Sequence, residues 1–419
     1  VPAPLDALLA SECATSEIED RLLDVGDVEA LALWHALQPT LERDGCLRYR
    51  VVRDAEPAFC FVPAAPLASP IDATTHGAVR LSRFAHLRRD GDGFVLESPR
   101  ARGRVEVHSS CGVELVACLA TAYTAAQAAE HLGQDAAFVE AAIALLSAAN
   151  LVLPAADNGE TAEDLDAHAR GWEFHDLVMH ERSRTFRRDL RVGATYRFGE
   201  TATAHAESSS ENPPSATIRL ARADVAALSD NDVPFTRVLE SRRSLRHHGP
   251  EPITIETLGQ FLFRTARASD DARFRLYPGG GAWHPLEVYV IAAHCAGLEP
   301  GLYRYLATSH ELLPIDADAD VVQSFVRNSA VPMERGSAQQ VQLVFTARFD
   351  KINRRYEGNA YALILQEVGA LYQTMYLVAT AMGLAPCAVG GGNADAFAAV
   401  IGSDPLEEAS VGAFVIGSR

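Results

Sequence analysis

The chain has 419 residues, 48% of them hydrophobic and 22% charged, enough for two or three domains with sizeable cores. Its 37 basic and 55 acidic residues leave a formal net charge of -18, which repels phosphate backbones and argues against nucleic-acid partners. Seven scattered cysteines without a CxxC pair speak against a zinc ribbon or a secreted disulfide framework. The start, VPAPLDALLA, lacks the basic segment of a signal peptide, and no apolar run reaches membrane-spanning length. A cytoplasmic location with no membrane partner is therefore expected, and the missing initiator Met reads as processing or trimming.

Residues 1–79 form an N-terminal α/β segment of short helical and strand patterns. In the next segment, 80–155, FVLES (94–98) and RVEVH (104–108) read as strands joined by a turn around Pro99–Gly103. Helical stretches follow at 110–120, 124–132 and 135–149. Two strands beside three short helices predict a winged-helix module. Its helix TAAQAAEHL carries no Lys or Arg, so a peptide-binding or purely structural role is expected rather than DNA binding, with the edge of RVEVH as a place for an extended peptide to pair. AADNGETAEDLD (155–166) and AHAESSSENPPSA (204–216) read as linkers, and GWEFHDLVMHERSR between them as a helix, so 156–216 is expected to be a linker with a helix. From 217 to 419 a second domain is expected. It has strands at LEVYVIAA (286–293) and VQLVFTAR (341–348), then a long apolar helix from Ala360 to Met382 closed by a left-handed Gly383. SVGAFVIG is the closing strand.

Four clusters could carry chemistry. SRRSLR (241–246) puts Arg242, Arg243 and Arg246 beside Ser244, and guanidinium forks suit phosphate. YPGGGAWHP (277–285) and VGGGN (389–393) each hold three glycines, whose backbone can approach a flat or phosphorylated ligand closely. RRYEGNAY (354–361) offers Tyr356 as a proton donor or acceptor, with Lys351 nearby. Each cluster taken alone also fits a solvated turn or an ordinary loop. Neither GxGxxG, a P-loop nor a GxSxG elbow occurs, and the pairs His247/His248 and His175/His180 do not have metal-ligand spacing, so no metal is expected.

Taken together, these pieces resemble the nitroreductase-fold flavin family and, within it, the SagB-type (ThcOx-type) azoline dehydrogenases. The matching stretches are SRRSLR, YPGGGAWHPLEVYV, GLEPGLYRY and RYEGNAYALILQEVGALYQTMYLVATAMGLAPCAVGGGN, running to SVGAFVIGSR. GWEFHDLVMHERSR is similar to the helix before the catalytic domain in this group. The segment from RLSRFAHLRRD to about 153 resembles its N-terminal peptide-recognition part. The resemblance implies an α+β fold, a homodimer with FMN at the subunit interface, and oxidation of peptide thiazolines or oxazolines to thiazoles or oxazoles. The peptide would be a ribosomal precursor or carrier-bound, with a cyclodehydratase or synthetase as partner. It implies that Arg242, Ser244 and Arg246, with Arg243 contributing, hold the FMN phosphate and ribityl chain. Pro278, Gly279 and Gly280 would line the flavin, Gly279 standing where the family has serine. Gly390 and Gly391 match the glycine pair against the isoalloxazine. Arg355-Tyr356 stands where the family often has Lys-Tyr. Arginine cannot act as a base near neutral pH, which leaves Tyr356 or Lys351 for proton transfer. Two other readings are a nitroreductase or ene-type reductase using NAD(P)H, and a non-catalytic flavoprotein or peptide-binding scaffold.

Overall fold

The computed structural model describes residues 14–64, 77–184, 191–199, 217–269, 274–329 and 339–419. The chain divides into two compact units, Val1–Arg191 and Val192–Arg419.

In the first unit, helices Thr15–Val25 and Val28–Arg43 bury Leu22 and Trp34 between them. The strands that follow are β1 (Tyr49–Arg53), β2 (Glu56–Pro63), β3 (Val79–Leu81), β4 (His86–Asp90), β5 (Gly93–Glu97), β6 (Gly103–Val107) and β7 (Val152–Pro154). Five of them make one antiparallel sheet in the order β1-β2-β6-β5-β4, while β3 pairs with β7. Strand β6 alternates because Gly103, Val105 and Val107 point inward and Arg104 and Glu106 outward. Phe59, Phe61, Val105 and Val107 share a core with Leu115, Val139 and Ile143 from the helices Ser110–Cys118 and Ala136–Ala148. Those two helices and Ala125–Leu132 between them start on Ser109, Thr124 and Asp135, each accepting a backbone N–H. Thr124 and Gln127 form a reciprocal capping box.

The division expected at residue 79 does not separate two bodies, because β1 and β2 before it belong to the same sheet as β4, β5 and β6 after it. The two strands expected as a wing are likewise part of five. RVEVH offers no free edge, since β6 lies between β2 and β5; the sheet's edges are β1 and β4. Residues 155–166, expected as a linker, are folded into this unit. Asp164 accepts the Thr161 N–H at 2.9 Å, which holds its carboxyl below the usual carboxylate range, and the buried Glu163 accepts from Ser82 Oγ at 2.7 Å. The expected helix is present as Phe174–Arg184. AHAESSSENPPSA lies outside the described residues.

The second unit begins before the expected residue 217, since β8 (Gly193–Ala194) pairs with a strand deep in its sequence, Tyr356–Glu357. Its other strands are β9 (Ile218–Arg219), β10 (Leu286–Ala292), β11 (Gly301–Leu306), β12 (Glu311–Ile315), β13 (Val341–Arg348), β14 (Tyr356–Glu357), β15 (Ala385–Val389) and β16 (Glu408–Gly417). Seven form an antiparallel sheet in the order β15-β16-β13-β10-β11-β12-β9. Leu286, Val288 and Val290 face a core shared with helices Ile255–Thr265 and Ala360–Ala381. Tyr289 and Ile291 face the opposite way, toward helices Ala319–Ser329 and Ala394–Ile401. Strand β13, covered on both faces, is buried from Val341 to Ala347, which is why it reads as a nearly continuous apolar run. Gly383 ends the long helix at φ 69°, the left-handed cap expected there. Among the described residues, no helix is long and apolar enough to cross a membrane.

Candidate active site

The long helix Ala360–Ala381 organises three of the four clusters directly. Ile364, Glu367, Val368, Leu371 and Met375 form its buried stripe, at the spacing of a 3.6-residue helix. Glu367 is the one charged side chain in this helix and is only 2% exposed. Its Oε1 lies 3.3 Å from Nδ1 of the buried His284, while Oε2 has no hydrogen-bond partner among the described residues. Burial, reinforced by the Glu367 carboxylate, pushes the Tyr277 phenol up.

His284 belongs to the loop that carries the first triple glycine. A single 3-10 turn, Gly280–Ala282, bends this loop back on itself. Gly281, Ala282 and His284 all have positive φ, at 60°, 58° and 43°. For the two non-glycines that conformation costs on the order of 1–3 kcal/mol each, which the surrounding packing must supply. The loop can sit here because its glycines lack Cβ. At Gly279 a Cβ would run into the Glu367 carboxyl, whose Cδ is 2.6 Å away, and at Gly281 it would lie 2.6 Å from the Tyr356 hydroxyl and 3.0 Å from Arg355 Nη1.

Arg355 and Tyr356 thus reach the same glycine. The Arg355 guanidinium carbon lies 5.3, 5.5 and 5.4 Å from the ring centres of Tyr196, Trp283 and Tyr356. Tyr196 is brought in by the β8–β14 ribbon: its N–H donates to the Arg355 carbonyl at 3.2 Å, and Thr195 Oγ1 donates to Glu357 at 3.0 Å. Lys351 goes elsewhere. It lies in the short helix Phe349–Asn353, and its Nζ is 3.9 Å from Glu287, on the sheet face of Tyr289. There Arg304 and Arg348 also pair with Glu287, at 3.2 and 3.4 Å, and Arg348 with Glu408 at 3.4 Å. Burial pushes the Lys351 ammonium below its usual range, and Glu287 works against that shift.

Farther along the helix, Tyr376 and Tyr372 pin the other two clusters. The Tyr376 hydroxyl lies 2.8 Å from Ser244 Oγ and accepts the Ala388 N–H at 2.8 Å. Arg242 sits 5.2 Å over the Tyr376 ring, and the Leu245 N–H donates to Pro386 at 2.8 Å. The Tyr372 hydroxyl accepts from Ala413 N–H at 3.0 Å and donates to Val389 at 3.3 Å, immediately before Gly390. Arg246 is exposed; its charge draws the Cys387 thiol down, but burial outweighs it and the thiol is raised. Arg243 is turned back on its own chain, donating to the carbonyls of Glu240 and Arg242 at 3.0 and 2.8 Å. Pro278, Gly390 and Gly391 are exposed, and a Cβ on either of these glycines would meet nothing within 4 Å. Gly390 and Gly391 line a cavity of about 210 Å³ with Tyr361, Phe397, Asn393 and Ser410.

Sequence reasoning named the four clusters but not Glu367, His284, Trp283, Tyr196, Tyr372 or Tyr376. One signal was present for Glu367: a lone carboxylate on the apolar stripe of a long helix demands a partner. Tyr196 had none, because its segment is joined to Arg355 only through the folded ribbon.

A family model described as cyanobactin oxidase ThcOx matches residues 79–189, and the nitroreductase family model matches 239–418. Over 159 residues the chain is 31% identical to a protein of Methanocaldococcus jannaschii that bears the name nitroreductase, covering 38% of this chain and 79% of that one. It is 29% identical to the trifolitoxin-processing protein TfxB of Rhizobium leguminosarum bv. trifolii, over 33% of this chain and 38% of that one. With the microcin B17-processing protein McbC of Escherichia coli it shares 29% identity, over 32% of this chain and 50% of that one. The chain thus spans half or less of the two processing proteins it matches. With a nitroreductase model over most of the second unit and a relative covered for 79% of its length, the chain belongs to the nitroreductase family and is an oxidoreductase.

Proposed function

We propose that this protein is an FMN-dependent dehydrogenase that oxidises thiazoline or oxazoline rings in a peptide to thiazoles or oxazoles. The observation that carries the reading is the junction, in one chain, of a cyanobactin-oxidase segment at 79–189 and a nitroreductase segment at 239–418. The residues present fit FMN. Arg242 and Arg246 have no carboxylate partner among the described residues, so their forks are available to a phosphate. Ser244 is held beside them by Tyr376. Gly390 and Gly391 leave open space for a flat ring, and Gly279 and Gly280 lie against Glu367 and Leu363 of the long helix. Arg243 would have to leave its backbone carbonyls to contribute.

When bound, FMN supplies the two-electron acceptor for a hydride, with dioxygen as its own oxidant. The chain's part is to orient the ring, exclude water and move one proton, and Tyr356 is the group we assign to that proton. Lys351 is committed to Glu287, so we give it no catalytic role. A homodimer is supported by exposed Phe235, Leu239, Tyr361 and Leu365, apolar surface that a second copy would cover. Residues 80–155 are read as a winged-helix-like peptide-recognition module within the first unit, whose sheet edges β1 and β4 are places where an extended substrate or a cyclodehydratase or synthetase partner can dock. Among the described residues Cys46, Cys60, Cys111, Cys118, Cys295 and Cys387 form no disulfide, which suits the cytoplasm.

The test is aerobic incubation of the purified protein with thiazoline- and oxazoline-bearing peptides. Loss of two hydrogens per ring, seen by mass, is expected. Rapid flavin bleaching by NAD(P)H with no change in the peptides would favour a reductase instead. Arg242→Ala is expected to weaken FMN retention roughly ten- to a hundredfold, since a charge-assisted contact contributes about 1.5–3 kcal/mol. Flavin per protein after gel filtration measures this, and unchanged occupancy would place the phosphate elsewhere.

A further inference from the structure

We propose that Arg355 is the oxyanion partner of the reaction, donating to the carbonyl oxygen next to the azoline ring as charge develops there. The inference rests on the azoline-oxidation reading. Arg355 is held among the rings of Tyr196, Trp283 and Tyr356, at 5.3–5.5 Å. Among the described residues no carboxylate neutralises it, and its Nε is buried without a hydrogen-bond partner. The adjacent carboxylate, Glu357, is engaged by Thr195 Oγ1. A cation fixed by aromatic faces while its donors stay unfilled is preorganised for an acceptor that arrives with a ligand.

The position of Tyr356 fits the same step. Its hydroxyl and Arg355 Nη1 lie 2.6 and 3.0 Å from one point, the place a Cβ would take on Gly281. A proton acceptor and a charged donor are therefore neighbours, both packed against Gly281. In an azoline built from a peptide, one ring carbon is the former α carbon and bears the peptide carbonyl. When its C–H bond breaks, the electron pair delocalises onto that carbonyl oxygen, and the Tyr356 oxygen takes the proton as its own hydroxyl proton passes to solvent. The pair then forms the ring double bond as a hydride leaves the neighbouring ring carbon for the two-electron acceptor already named, and the carbonyl is regained. One proton and one hydride are lost, so the ring is oxidised by two electrons. Arg355 exchanges no proton; it lowers the cost of the charge on oxygen, and its planar fork does so more directionally than an ammonium. Tyr196 is a positioning residue that keeps the guanidinium in place.

The test compares wild type, Arg355→Gln and Arg355→Lys, all loaded with FMN to equal occupancy. Single-turnover flavin reduction by an azoline peptide is expected to slow roughly 10²–10³-fold in Arg355→Gln, as when one oxyanion donor is removed, and about tenfold in Arg355→Lys. Tyr196→Leu should slow the step by roughly 3–20-fold with KM unchanged. A second readout is binding, followed by flavin fluorescence, of a thiazole-4-carboxylate and of the thiazole without its carboxylate. Arg355→Gln is expected to lose affinity for the first alone. A wild type that oxidises the peptide while Arg355→Gln reacts within threefold of it, or an equal loss for both thiazoles, would overturn the assignment and leave the azoline reading intact. A wild type that leaves every azoline peptide unchanged would overturn that reading, and this inference with it.

Discussion

Tyr356→Phe is expected to lower turnover of an azoline peptide by roughly 10²–10⁴-fold, the range over which a positioned acid–base group contributes. The substitution removes one oxygen and leaves the ring that packs against Arg355 in place, so the fold and the aromatic setting of the guanidinium persist. FMN content should not change, because the residues assigned to the cofactor lie on SRRSLR and the glycine loops. Stopped-flow flavin reduction in the two proteins, at matched flavin occupancy, measures the effect. Equal rates would remove Tyr356 from the proton transfer and send the search to the Glu367–His284 pair, which is packed on this loop.

Gly281→Ala is expected to be nearly as damaging, although alanine carries no chemistry. Gly281 has φ 60°, where an L-residue costs about 1–2 kcal/mol. The new methyl would also stand 2.6 Å from the Tyr356 hydroxyl and 3.0 Å from Arg355 Nη1, well inside contact distance. Backbone strain should lower the melting temperature by a few degrees, whereas displacement of both groups should cost on the order of 10²-fold in turnover. The two readouts separate the causes: a lower melting temperature with full activity would mean that the loop yields and the Tyr356–Arg355 geometry is not critical.

Much of the second unit was legible because its signals are local. LEVYVIAA and VQLVFTAR are β10 and β13 nearly to the residue, and the apolar helix stops at Gly383. The clusters could be seen as separate pieces of unusual composition, and the fold aligns three of them on one helix through Glu367, Tyr372 and Tyr376. What could not be read depends on residues far apart in the chain. His284 meets Glu367 across 83 positions, and Thr195 meets Glu357 across 162. Strands β1 and β2 join β6 across a long intervening stretch, so a boundary drawn from texture at residue 79 cut through a sheet. Lys351 misled for the opposite reason. It is only five positions before Tyr356 in sequence, but the helix Phe349–Asn353 directs it to Glu287 on the other face of the sheet.

The central claim is that the peptide ring itself delivers the electrons. Anaerobic mixing of the FMN-loaded protein with a thiazoline peptide, without NAD(P)H, tests it most directly. The account predicts that the flavin absorbance bleaches in one turnover and that one thiazole, lighter by two hydrogens, forms for each flavin reduced. A flavin that stays oxidised with thiazoline peptides and their oxazoline counterparts, yet bleaches at once when NAD(P)H is added, would contradict it.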